Sequence, residues 1–76
     1  MQYGPINIDK ETMGGTPVFY GTRVPVQTLF DYLEGGDKIE DFIDDYPSVN
    51  KRQVIEVLEM AKKTLTTEKA LDENFA

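Results

Sequence analysis

The side chains able to do chemistry in this sequence are nearly all carboxylates. Asp37, Asp41, Asp44 and Asp45 fall at spacings that place them along one face of a helix. Carboxylates arranged so could hold a divalent cation or share acid–base work. A helical row lacks the looped cage that such a cation needs, and no second class of group accompanies it. The chain has no His and no Cys, which removes zinc and haem ligation, a thiol nucleophile and imidazole acid–base chemistry. Ser48 is the only serine, and without His it has no ordinary triad to join. No Gly-Lys-Ser/Thr loop offers a phosphate cradle. The expectation is a non-enzyme, with no catalytic residue, no cofactor and no metal.

Binding is the role these residues suit better. Asp44 and Asp45 stand near the end of their helix, where negative charge opposes the macrodipole, so local helix energetics do not explain them. They are read either as a solvated face or as a docking surface for a basic partner. Lys51, Arg52 and Gln53 open the next helix, where a helix-turn-helix protein would contact DNA. Along that helix, however, Arg52–Glu56 and Glu59–Lys63 are i, i+4 pairs of opposite charge, the pattern of an ordinary solvated helix. Gly21-Thr22-Arg23 is read either as a turn, in which Arg23 satisfies nearby carbonyls or a carboxylate, or as a contact knuckle anchored by Arg23. Leu71 and Phe75, i, i+4 in the tail, could dock on a partner or fray.

Charge separates these elements. Eight basic and fourteen acidic residues leave the chain at −6, a poor basis for gripping phosphate nonspecifically. Residues 31–45 carry seven carboxylates against Lys38 alone, whereas residues 50–63 are net positive. The longest apolar run, Val18-Phe19-Tyr20, is far too short to span a membrane. Residues 1–9 lack the basic and apolar regions of a secretory signal, so a cytoplasmic location is expected.

The elements that must position these residues follow from apolar spacing and from breakers. Ile6 and Ile8 alternate with polar neighbours and allow a short strand. Residues 17–26 read as two extended runs about Gly21-Thr22, a type II′ hairpin with glycine first in the loop. Pro25 limits the second run and can open a helix. Val26, Leu29, Phe30 and Leu33 form one helical face, stopped by Gly35-Gly36. Asp37 is the expected cap of a second helix, which buries Ile39, Phe42, Ile43 and Tyr46 and closes at Pro47. Asn50 caps a third, with Gln53 three residues on and a stripe of Val54, Leu58, Ala61 and Leu65 flanked by Ile55 and Val57. Short connections force sequential helices together in a helix-turn-helix-like arrangement. The expected fold is mainly α: one domain over 1–65, made of an extended arm or hairpin (1–26) and a three-helix core (26–65), with a loosely held tail at 66–76. A 76-residue chain is short of core and needs help. A homodimer or higher oligomer through Val18, Phe19 and Tyr20 is therefore expected, since an isolated two-stranded hairpin is marginal.

The run Gly14-Gly15-Thr16-Pro17-Val18-Phe19-Tyr20-Gly21-Thr22-Arg23-Val24-Pro25-Val26, followed by an apolar helix, Gly35-Gly36, an acidic helix ending Tyr46-Pro47 and a last helix, resembles the bacterial domain-of-unknown-function four-three-three family over roughly residues 6–65. The resemblance implies a homeodomain-like fold with an extended arm. It also implies similarity to VapB-type antitoxins, which occlude a neighbouring PIN-like ribonuclease. The leading expectation is thus an antitoxin-like protein-binding module. Its alternatives are a helix-turn-helix DNA-binding regulator and a homo-oligomeric structural protein without ligand.

Overall fold

The computed structural model describes residues 1–11 and 13–69. In chain order these form β1 (Gln2–Tyr3), β2 (Ile6–Asn7), a 3-10 turn (Met13–Gly15), β3 (Val18–Phe19), α1 (Val26–Glu34), α2 (Ile39–Asp45) and α3 (Lys51–Thr66). The described residues are mostly helical, with three α-helices and a small three-stranded antiparallel sheet in the order β1-β2-β3.

The strand expected at Ile6 is β2, and it does more than the alternation foretold. It pairs on one side with β1 (Tyr3 opposite Ile6) and on the other with β3 (Ile6 opposite Phe19, Asn7 opposite Val18). The second extended run of the expected hairpin shrinks to one bridge, Val18 to Pro25, because Pro25 has no N–H to continue a ladder. The turn also differs from a type II′ loop. Thr22 N–H donates to Phe19 O at 3.0 Å, which places Gly21 third in the turn. Its φ of 79° is the positive value that a type II turn demands there. Thr22 holds this register, its hydroxyl donating to Phe19 O at 2.8 Å and accepting from Val24 N–H at 3.1 Å.

Helix α1 starts behind Pro25 and ends in a Schellman closure. Gly36 N–H donates to Leu33 O at 3.1 Å and Asp37 N–H to Tyr32 O at 2.9 Å, with Gly36 at φ 90°. That closure moves the cap of α2. Asp37 is spent on finishing α1, so Lys38 becomes the cap residue, and its N–H donates to Asp41 Oδ2 at 2.9 Å. The third cap is the expected one. Gln53 N–H donates to Asn50 Oδ1 at 2.8 Å, and Asn50 N–H to Gln53 Oε1 at 3.1 Å.

Phe19, Leu29, Phe42, Val49 and Val54 are fully buried and Val57 nearly so, with Ile6, Val24, Phe30, Ile43, Tyr46 and Leu58 packed around them. Arm and helices therefore share one core. On α3 the inward stripe is Val54, Val57, Leu58 and Ala61, whereas Ile55 is 43% and Leu65 59% exposed. Val57, expected only to flank the stripe, is thus a core residue, whereas Leu65 lies beyond Leu58, the last residue of α3 packed against the core. Among the described residues no helix is long and apolar enough to cross a membrane.

Candidate functional site

The signature run folds around a groove of about 420 Å³. Thr16, Val18, Thr22 and Arg23 contribute from the run itself, Asn7 from β2 and Ser48 from the α2–α3 turn. Positive φ at Gly21 and the bonds of Thr22 shape the wall on which Arg23 stands. Arg23 is exposed and makes no hydrogen bond or ion pair among the described residues, so it is not spent on local carbonyls or a carboxylate. Thr16 was within reach of sequence reasoning, since it belongs to the signature. Asn7 and Ser48 carried no signal, because only the fold brings them to the same place.

The structure redistributes the other arm residues. Phe19 is fully buried and Val18 is 8% exposed. Both edges of β3 are occupied within the chain, by β2 on one side and by the Pro25 bridge on the other. Val18 and Phe19 are thus core residues of the single chain and offer no open edge to another, a correction to the arm expectation. Tyr20, Gly21 and Arg23 remain exposed.

On α1, α2 and the connection between them, Asp31, Glu34, Asp37, Glu40 and Asp44 are exposed and free of ion pairs among the described residues. These side chains and the carboxylate donor sets around them do not converge as a metal-binding group of three or more among the described residues. Asp45 differs from Asp44: its Oδ2 accepts the Tyr32 hydroxyl at 2.6 Å. Tyr32 lies edge-on to Phe42 and Tyr46, with ring centroids 5.5 and 5.9 Å away. Asp45 is therefore an internal tether between α1 and α2, which explains a carboxylate at an unfavourable helix end.

The hydrogen bond to Asp45, then partial burial, pushes the Tyr32 phenol above its ordinary value of 10.0. Because the folded pKa is raised, the tether stabilises fully below that ordinary value and its contribution is lost as pH rises through the folded value. Tyr32→Phe is expected to remove the tyrosinate absorbance that develops at the alkaline end of a titration, and with it this part of the alkaline stability loss. An unaltered alkaline limb in the variant would refute the tether.

The face of α3 is largely self-neutralised. Arg52 Nε bonds Glu56 Oε1 at 3.0 Å, and Lys62 Nζ lies 3.1 Å from Glu59 Oε2. Glu59 thus pairs with Lys62 at i, i+3 rather than with Lys63. Gln53 is engaged inside the chain: its oxygen accepts Asn50 N–H and its Nε2 donates to Tyr20 O at 2.9 Å. Lys51 alone of the three is exposed and unpaired among the described residues. Leu71 and Phe75 lie outside the described residues.

The segment from β2 to Ala61 of α3 coincides with a match to a family described as "Protein of unknown function (DUF433)" over residues 6–61. The chain belongs to this family. No curated protein and no solved structure matches it.

Proposed function

We propose that this chain is an antitoxin-like binding module whose partner is a PIN-like ribonuclease, neutralised by occlusion without chemistry of its own. The observation that carries this reading is the uncompensated acidic surface of Asp31, Glu34, Asp37, Glu40 and Asp44. A nuclease must expose positive charge to hold nucleic acid, and an acidic companion meets that surface through complementary steering. The second reading is a homeodomain-like arrangement of α1, α2 and α3 binding DNA in the cytoplasm, and exposed Lys51 at the start of α3 favours it. Against it stand Arg52 and Gln53, already engaged inside the chain.

The test is to titrate the chain into the neighbouring PIN-like ribonuclease while following cleavage of a fluorogenic RNA. Stoichiometric inhibition that weakens with salt is expected. Joint replacement of Asp31, Glu34, Glu40 and Asp44 by Asn or Gln is expected to weaken it roughly tenfold. Full inhibition by that variant at low salt, or none by the unaltered chain, would overturn the reading. Specific DNA retardation abolished by Lys51→Ala with Arg52→Ala would favour the regulator instead.

A further inference from the structure

The groove around Arg23 is rich in donors with nothing to donate to. Arg23 is the only cation between Lys10 and Lys38. Arg23, Thr16 and Ser48 line one groove, and the guanidinium and both hydroxyls are unbonded among the described residues. Thr22 is different, since its hydroxyl is consumed by Phe19 O and Val24 N–H; it builds the wall and leaves recognition to its neighbours. Asn7 accepts the Met1 amino group on its oxygen at 3.1 Å, which turns its amide NH₂ into a further donor.

The chemistry of this set selects its ligand. A guanidinium is a planar fork that matches the two oxygens of a carboxylate, and hydroxyl donors can fill the remaining lone pairs. The groove is lined by one cation, Arg23, and one carboxylate, Asp9, in a chain of −6, so it has no surplus positive charge. That balance penalises a phosphate dianion more than a monoanion, which the guanidinium fork can meet with one bidentate pair. We infer that the groove is a carboxylate-binding site, with Arg23 gripping both oxygens and Thr16 and Ser48 completing the shell. Its volume of about 420 Å³ accommodates an acidic side chain of a bound segment or a small organic acid. The inference is independent of the ribonuclease reading, which uses this chain's carboxylates rather than its cation.

The experiment is a titration of the isotope-labelled chain followed by NMR, reading Arg23 Nε–H and the amides of Thr16, Gly21 and Ser48. The probes are glutarate, a capped tetrapeptide with one Glu, the same peptide with Gln, and inorganic phosphate. Saturable shifts with glutarate and the Glu peptide are expected, with none from the Gln peptide and weaker ones from phosphate. Tighter binding of glutarate identifies a small acid as the source, and tighter binding of the Glu peptide identifies a protein segment. Arg23→Lys should weaken the response roughly tenfold and Arg23→Gln should abolish it. Arg23 is exposed and unbonded, so both variants keep the fold, which an unchanged melting curve verifies. The inference is overturned by absent shifts, by equal response to the Gln peptide, by tighter phosphate binding, or by an Arg23→Lys chain that binds like the original.

Discussion

Phe19→Ala is expected to lower the stability of the chain by about 3–5 kcal/mol, read by urea denaturation, and by the same amount at every protein concentration. Phe19 has no exposed surface, and its ring sits 5.7 Å from that of Phe42 at 45°. Removing it deletes buried apolar surface and one member of the aromatic group that joins the arm to α2. A domain of this length has a total stability of roughly 4–11 kcal/mol, so the loss takes a large share and leaves the variant near its unfolding threshold. The concentration series carries the structural point. If Phe19 were buried against a second chain, folding and association would be linked and the melting temperature would climb with concentration. A concentration-dependent loss would place Phe19 in an interface and contradict its position in the core of one chain.

Gln53→Ala is expected to cost about 2 kcal/mol, roughly half from the lost cap and half from the lost tie to the arm. Gln53 works in two directions: its oxygen accepts Asn50 N–H at 3.1 Å while its Nε2 donates to Tyr20 O at 2.9 Å. Gln53→Glu separates the two roles, since a carboxylate still serves Asn50 N–H but has no donor for Tyr20 and repels its carbonyl. The Glu variant should keep α3 intact by circular dichroism while amide hydrogens near Tyr20 and Gly21 exchange faster. Unchanged exchange in the arm of both variants would show that Gln53 acts on its own helix alone.

The helices were legible because their ends are written in residues with strong local preferences: Pro25, Gly35-Gly36, Tyr46-Pro47 and the Asn50/Gln53 box. Local rules erred where one residue is claimed by two elements. Asp37 is a good cap by type, yet the closure of α1 uses its N–H, and the cap passes to Lys38. Strand β1 escaped notice because two residues carry no period, and its partner in β2 is set by the Gly4-Pro5 turn. Val49 is fully buried but isolated between Ser48 and Asn50, outside any helical spacing. The same limit hid half of the groove. Arg23 and Thr16 stand in a recognisable run, whereas Asn7 and Ser48 reach it only when β2 and the α2–α3 turn fold against it.

Helix α3 is also a mechanical part. Its sixteen residues span about 24 Å, and the last of them packed against the core is Leu58, so among the described residues its final two turns extend past the core. Among the described residues no hydrogen bond or ion pair ties that end to another element, and Leu65 is 59% exposed. Stiffness there comes from stitching along the axis. The hydroxyls of Thr64, Thr66 and Thr67 donate to the carbonyls of Met60, Lys62 and Lys63 at 3.0, 2.8 and 2.6 Å. Such back-bonds draw the carbonyls toward one side and bend a helix slightly. This seam of threonines thus stiffens the outer part of a rod whose other part is anchored by the buried Val54 and Val57.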